Sequence, residues 1–285
     1  MLKLTSGLLA IALASSAATA QQSYTADQLV AKNLEARGGA AALAAIKSLQ
    51  MEGRLLTPGD FELKMKEVRV RQPQGDAIRD DLTVQGLTIV QAYDGANGWK
   101  INPFQGRRDA EKMSADEVRA MGDQASISGA LLSAATNKSR VTSEGFEDFD
   151  GTKAYKLKVV QPDGDEYDYL LDPDTFLEIK VTEMRRNRGI LSVSNSELGD
   201  YEKVAGVYYP MAIDSWSGDN SNSRSRIVIE KASANGEAPA SLFMQPNDSA
   251  KPAAAAPGDV PKPTDKPATG TKSDKPATPP SPGKE

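Results

Sequence analysis

The most informative segment of the sequence reads Tyr93-Asp94-Gly95-Ala96-Asn97-Gly98-Trp99-Lys100-Ile101-Asn102-Pro103-Phe104. Its two pairs Asp94-Gly95 and Asn97-Gly98 tolerate positive φ angles, so the chain can reverse here without steric cost. After this turn Trp99 and Ile101 alternate with polar residues, a period of two that places both side chains on one face of a strand. The segment therefore predicts a tight β-hairpin whose apolar face also takes Tyr93.

The segment resembles one in the periplasmic lipoprotein-carrier family, the LolA-like proteins that sort outer-membrane lipoproteins. In that family an Asp-Gly turn is followed by the pattern Trp-x-x-Asn-Pro-Phe and then by a helical lid. The residues that match this pattern are Asp94, Gly95, Trp99, Asn102, Pro103 and Phe104.

Both ends of the chain extend the resemblance, which covers roughly residues 25–246. The family opens with a helix, a Gly-Gly break, a small-residue helix and a strand, and the sequence has this order around Gly38-Gly39. Its second half combines an Asp-Pro-x-Thr turn with Tyr-x-x-x-x-Gly-Val-x-x-Pro and closes on Phe-x-x-Pro. The matching residues are Asp172, Pro173, Thr175, Tyr201, Gly206, Val207, Pro210, Phe243 and Pro246.

The remaining sequence predicts antiparallel strands with one helical interruption. Apolar residues alternate with polar ones from Leu49 onward, and glycine or proline turns separate the segments. The alternation slips near Lys66-Glu67 and near Gly86, which indicates bulges that curve the sheet. Residues 111–132 instead show helical spacing with sparse apolar side chains, and a capping box begins at Ser114.

These patterns and the resemblance predict a mainly β fold with helices (α+β): a curved antiparallel sheet of about ten strands, forming an unclosed half-barrel of the LolA-like kind wrapped over helices. The residues expected to bind a ligand on the apolar face are Met51, Phe61, Leu63, Met65, Tyr93, Trp99, Ile101, Tyr155, Leu157, Tyr169 and Leu171. The expected lid residues are Val118, Met121, Ile127 and Leu131. A filled core would give the same alternation, but the slips, the weakly apolar helices and the scattered methionines favour an open face.

The two ends of the chain differ in composition from the predicted domain. Residues 1–20 have Lys3, an apolar run and Ala18-Thr19-Ala20, which is typical of a cleaved signal peptide, so we expect an exported, periplasmic protein. The LolA-like domain is expected over residues 21–247. Residues 248–285 are rich in proline, lysine and alanine and predict a disordered tail.

Composition excludes several classes of function. The chain carries a formal charge of −5, and without the basic signal segment and tail residues 21–250 carry −8, which disfavours binding to nucleic acid. It has no histidine and no cysteine, so histidine-based triads, thiol catalysis and most zinc sites are excluded. Acidic clusters at Asp80-Asp81 and Asp163–Asp168 lie beside predicted turns and are expected to be solvated. We therefore expect no enzyme, no catalytic or metal-binding residues and no cofactor.

The resemblance implies a monomeric carrier or chaperone that binds the acyl chains of lipoproteins, or another lipid, between a membrane-bound donor and acceptor. In the family an arginine usually stands before a proline and links sheet to lid, whereas this sequence has Gln72 there. Arg69 or Arg71 could replace it, although alternation puts both opposite Val70. The alternatives are a lipid- or lipoprotein-sensing envelope-stress regulator and a structural periplasmic module with a closed core.

Overall fold

The described part of the chain is built on one antiparallel sheet. The computed structural model describes residues 22–59, 61–106 and 108–246. The predicted signal peptide (1–20) and the predicted tail (248–285) lie outside the described residues. In the part that is described, no helix is long and apolar enough to cross a membrane.

The strands follow one another along the chain. They are β1 (Ser48–Thr57), β2 (Phe61–Val70), β3 (Ala77–Val84), β4 (Leu87–Tyr93), β5 (Gly98–Ile101), β6 (Glu111–Lys112), β7 (Arg140–Phe149), β8 (Thr152–Val160), β9 (Glu166–Leu171), β10 (Glu178–Asn187), β11 (Ile190–Val204), β12 (Val207–Ser217) and β13 (Ser225–Ala234). The connections between them are short except between β6 and β7, where two helices are inserted.

The order of strands in the sheet is β6-β5-β4-β3-β2-β1-β13-β12-β11-β10-β9-β8-β7. Two meanders, β1–β6 and β7–β13, are joined where the first strand pairs with the last. β6 and β7 end the sheet at opposite edges, so the sheet is not closed. The predicted unclosed half-barrel with helices is confirmed, with 13 strands where about ten were expected.

Four helices occur in the described residues: α1 (Ala26–Ala36), α2 (Ala40–Ala45), α3 (Ala115–Ala125) and α4 (Gly129–Asn137). The α1 N-terminus is a capping box between Thr25 and Gln28, and α3 begins with the same arrangement between Ser114 and Glu117. Each box satisfies backbone N–H groups that a helix leaves unpaired in its first turn. Both helix starts are therefore decided by local sequence.

Gly38 ends α1 at a point where only glycine fits. Its φ is +118°, and a Cβ atom there would lie 2.2 Å from the carbonyl oxygen of Gly206. The absence of a side chain lets the turn after α1 lie directly against the start of β12. This contact fixes the junction between α1 and α2 against the start of β12.

The two faces of the sheet carry different cores. We call the helix-bearing face the inner face and the opposite one the outer face. On the inner face, α1 and α4 cover β7–β10, α2 and the start of α4 cover the middle strands, and α3 covers β3–β5. On the outer face, Phe243 of the C-terminal segment packs against Val68 and Ala77. Both faces of the β2–β3 region are therefore partly apolar.

The expected bulge at Lys66-Glu67 is wrong. β2 pairs with β1 and β3 through this point without a shift of register. The alternation changes because the inner face of β2 becomes polar at Glu67 and Arg69 while Val68 packs on the outer face. What looked like a slip in the sequence is a change in which face is apolar.

The expected slip near Gly86 is a hairpin turn. Gln85 and Gly86 have φ of +51° and +79° and connect β3 to β4. A register shift occurs instead between Glu52 and Gly53, where β1 pairs with β13. Such irregularities increase the local twist of a sheet, and this one lies where the two meanders join.

Candidate functional site

The residues predicted to share one apolar face divide into three groups in the structure. Tyr155, Leu157, Tyr169 and Leu171 lie together on the inner face under α1 and α4. Leu157 and Leu171 are fully buried at 0% exposure, and Leu131 of α4 packs against them. This part of the face is a filled core.

A second group lies nearer the middle of the sheet. Met51 and Met65 pack on the inner face against Ile127, and Leu63 lies two residues along the same strand as Met65. Phe61, at the start of β2, is 63% exposed. Tyr93 lies apart from this group, on β4 nearer the β6 edge, where it packs beside Met121 and Val118 of α3.

Trp99 and Ile101 lie on the outer face, and the prediction that they share a face with Tyr93 is wrong. Tyr93 pairs with Gly98, so Trp99 stands opposite Ala92. The indole Nε1 donates a hydrogen bond of 2.7 Å to the carbonyl oxygen of Phe243. The hairpin forms as predicted, but its register sends the tryptophan away from the helices.

The predicted lid residues do not act as one element. Val118 and Met121 belong to α3, Leu131 to α4, and Ile127 to the connection between these helices, residues 126–128, which we call the lid connection. Met121, Ile127 and Leu131 are each at most 4% exposed. Of the four, Ile127 lines the cleft between the middle strands and the lid connection.

That cleft, the inner cleft, lies between the lid connection and strands β1, β2, β12 and β13. Its volume is about 180 Å³. The apolar lining residues are Met51, Met65, Ile127, Tyr209, Pro210, Ile213, Ile227 and Ile229. The polar lining residues are Arg37, Glu67, Arg69, Ser126 and Ser128.

Arg71 links the sheet to the lid connection. Its Nη2 atom donates to Ser128 Oγ at 2.9 Å, and its Nε atom donates to the carbonyl oxygen of Ile46 at 2.9 Å. The backbone N–H of Ile127 donates to Asp76 Oδ2 at 3.0 Å. Alternation does put this arginine opposite Val70, as expected, and that is the inner face, where the lid lies. Arg71, and not Gln72, thus links the sheet to the lid connection.

A buried ion pair forms the inner end of the cleft. Arg37 Nη1 lies 3.1 Å from Glu178 Oε1, with the two side chains 9% and 6% exposed. Tyr201 donates its hydroxyl hydrogen to the Glu178 carbonyl oxygen at 2.7 Å, and burial raises the pKa of this tyrosine. A separate cavity of about 160 Å³ shares Arg37, Ser128, Gly129 and Pro210 as lining residues, so it lies next to the inner cleft.

Asp80, which stands across from the lining residue Glu67, and Tyr209, which lines the cleft, both have raised pKa values. Burial, reinforced by the neighbouring Glu67 carboxylate, raises the pKa of Asp80 well above its usual value. Burial also raises the pKa of Tyr209, which keeps its hydroxyl protonated. Asp80 is therefore not the solvated turn acid expected from sequence.

α3 is held by the sheet on both of its sides. Lys100 of β5 pairs with Glu117 at its start. Arg185 of β10 pairs with Asp123 at 2.5 Å and with Asp165 at 2.6 Å, and Asp165 is only 1% exposed. Asp165 is thus a buried ion-pair partner, contrary to the expectation of a solvated acid, and α3 is more firmly fixed than the lid connection.

Sequence reasoning did not select Tyr209, Ile213, Ile227 and Ile229 as site residues. The alternation of Ile227 with Ile229 was a visible signal for a strand with one apolar face. Their approach to Met51 depends on the pairing of β1 with β13, residues separated by most of the chain. No local pattern indicates that pairing.

No protein-family model and no curated protein matches the sequence. Among solved structures, a LolA superfamily protein from Nitrosomonas europaea superimposes with a TM-score of 0.51 at 14% identity, covering 78% of this chain and 98% of its own. A domain named for outer membrane lipoprotein sorting, from Vibrio parahaemolyticus, gives 0.53 at 11% identity over 76% and 97%. The chain has a LolA-like fold. A DUF1329 family protein from Desulfovibrio piger matches this LolA-like fold with a TM-score of 0.54, at 12% identity over 77% and 97%.

Proposed function

We propose that this chain is a periplasmic binding or carrier protein for the acyl chains of lipoproteins or for another lipid, acting in outer-membrane lipoprotein sorting. The observation that carries the proposal is the inner cleft, an apolar space on the LolA-like inner face closed by a short connection. The name of the Vibrio neighbour agrees with this role. The proposal includes export by a cleaved signal peptide, a membrane-bound donor and acceptor, and no enzymatic step.

The size of the inner cleft means that a ligand must open it further. Its volume of about 180 Å³ is below the roughly 300 Å³ at the small end of ligand pockets. An acyl chain can enter fully only if the lid connection moves and the cleft joins the neighbouring cavity.

Displacing the lid connection requires only moderate free energy. Two hydrogen bonds, from Arg71 to Ser128 and from Ile127 to Asp76, contribute together about 3 kcal/mol. A third, from Arg69 Nη1 to the Ser126 carbonyl oxygen, is long at 3.5 Å and adds little. Exposing Ile127 costs about 2 kcal/mol more. Each buried methylene of a ligand returns about 0.8 kcal/mol, so about six methylenes offset the opening. For a longer acyl chain, the free energy of burial exceeds the free energy of opening, so the chain binds. The contacts that close the lid connection then favour its release.

The filled core under α1 and α4 favours a second candidate, a sensor or structural module. Tyr155, Leu157, Tyr169 and Leu171 occupy the part of the inner face that a large ligand would need. A sensor binds a lipid without passing it on. Stoichiometric transfer of a bound lipopeptide to acceptor vesicles separates a carrier from a sensor.

The test of lipid binding uses a fluorescently labelled triacylated lipopeptide and fluorescence anisotropy. Ile227 lines the inner cleft, whereas its neighbour Val228 points to the outer face of β13. We expect saturable binding that Ile227→Asp weakens at least about tenfold, because a carboxylate in the cleft must lose its hydration. Val228→Asp is the matched control and should bind within about twofold of the wild type.

Two outcomes count against the proposal. Absence of saturable binding to the wild-type protein, together with absence of lipid in native mass spectra of gently purified material, means that the inner face is a closed core. Equal loss of binding in both variants means that the lipopeptide binds elsewhere or that added charge on β13 disturbs the fold. Far-ultraviolet circular dichroism of both variants distinguishes these last two cases.

A further inference from the structure

The hydroxyl of Tyr209 stands out among the polar atoms of the inner cleft. Tyr209 is 4% exposed and lines the cleft. Its hydroxyl oxygen is buried and has no hydrogen-bond partner among the described residues. A buried hydroxyl without a partner is costly, and native structures rarely keep one without a reason. The position of this hydroxyl at the wall of a cleft points to a partner that arrives with the ligand.

The charges around Tyr209 decide which way its hydroxyl hydrogen points. The positive charges of Arg37, Arg69 and Arg71 all act on Tyr209, and the Arg37 guanidinium lies 5.3 Å from its ring centre. Positive neighbours attract the oxygen end of the hydroxyl dipole and repel the hydrogen. The hydrogen therefore points away from them, and the missing partner is a hydrogen-bond acceptor.

The same charges decide that this acceptor is neutral. Every one of the three arginines already has a carboxylate partner: Arg37 pairs with Glu178, Arg69 with Glu67 and Arg71 with Asp76. No positive charge is left over to compensate a buried anion, and burying an uncompensated carboxylate is costly. A carbonyl oxygen of an ester or amide meets both requirements, whereas a free fatty-acid carboxylate does not.

We propose that Tyr209 recognises the carbonyl group of an ester- or amide-linked acyl chain and so makes the inner cleft selective for acylated over alkyl-ether ligands. This inference rests on the proposed lipid-binding function. The chain lies along Met51, Met65 and Ile229, and its first carbonyl oxygen accepts the hydrogen of the Tyr209 hydroxyl. The ester or amide thus sits inside the cleft and not in solvent.

The hydrogen bond forms only in the open state. The Tyr209 hydroxyl is closed off from solvent, and the lid connection lines the same cleft. A ligand that displaces this connection reaches the hydroxyl, and its carbonyl satisfies a group that was unpaired before. Binding energy from the carbonyl is therefore gained only when the lid opens.

The experiment compares two amphiphiles that differ only in the carbonyl: myristoyl lysophosphatidylcholine and its O-tetradecyl ether analogue. Both are titrated below their micelle concentrations by isothermal calorimetry, with wild type and Tyr209→Phe. The wild type should prefer the ester by roughly tenfold, the effect of one hydrogen bond to a buried group. Tyr209→Phe should bind the two amphiphiles equally, and its affinity for the ether should match that of the wild type.

Tyr208→Phe provides the matched control. Tyr208 is the next residue on β12, and its ring lies on the outer face under the Lys203 ammonium group. This variant should keep the full preference for the ester. Equal binding of ester and ether to the wild type, or a preference that survives Tyr209→Phe, overturns the inference while leaving lipid binding intact. Failure of both amphiphiles and of the lipopeptide to bind overturns the proposed function itself.

Discussion

Removing the hydroxyl of Ser128 should weaken the attachment of the lid connection to the sheet and leave the apolar residues of the cleft wall unchanged. This hydroxyl accepts a hydrogen bond of 2.9 Å from Arg71 Nη2 and makes no capping bond to the α4 backbone, although Ser128 is the N-cap residue. Ser128→Ala therefore removes a single contact between sheet and lid. No helix cap is lost with it.

We expect Ser128→Ala to lower stability and to raise ligand affinity. The side chain of Arg71 is 29% exposed, so water can replace part of the lost bond, and the change in the free energy of unfolding should be about 1 kcal/mol. If the lid must open before ligand binds, the open fraction rises by the same free energy. The apparent Kd for lipopeptide should then fall roughly fivefold.

The assay is anisotropy of the labelled lipopeptide beside urea denaturation of the same samples. Ser48→Ala is the control, because Ser48 Oγ donates one hydrogen bond of 2.7 Å to the carbonyl oxygen of Gly236, away from the lid. It should cost similar stability and leave the affinity within about twofold. An unchanged or weaker affinity of Ser128→Ala refutes the reasoning that lid opening limits binding.

Two further predictions follow from the placement of individual side chains. Intrinsic tryptophan emission should stay constant when lipopeptide binds, because neither tryptophan lines the inner cleft: Trp99 lies on the outer face against Phe243, and Trp216 packs under Lys180 and Arg224. A saturable change in emission contradicts this placement. Asp80→Asn should raise the free energy of unfolding at neutral pH, measured by urea denaturation over a pH series. Because burial raises the pKa of Asp80 in the folded state, folding takes up a proton, and wild-type stability falls as pH rises from the ordinary carboxyl pKa through the raised one. The Asn variant should lack that fall, and a variant with the wild-type profile contradicts the assignment.

Local chemistry was enough to predict many elements of the fold. The Asp94-Gly95 pair specifies a hairpin turn because Gly95 has a φ of +98°, which few residues with a side chain tolerate. The capping boxes at Thr25 and Ser114 start α1 and α3 where the sequence indicates, because each box involves residues only three positions apart. Alternation identified the strands, and with the family resemblance it predicted an unclosed antiparallel sheet.

The candidate site depends on contacts that no local pattern contains. Alternation assigns two faces to each strand, but it does not say which face the helices cover. Trp99 and Tyr155 looked equivalent in sequence, yet Phe243 covers the first on the outer face and α1 and α4 cover the second on the inner face. The partners that bury them come from distant parts of the chain.

The sequence by itself determined the hairpins, the helix starts and the alternating strands, since these follow from steric limits and hydrogen bonds within a few residues. Only the tertiary structure decided that Leu157 is core while Ile227 borders a cleft, and that Arg71 reaches the lid. Burial and charge pairing are properties of surfaces brought together from separate segments. Pairing of β1 with β13 joins such segments from opposite ends of the described chain, and it places Met51 beside Ile229 in the wall of the inner cleft.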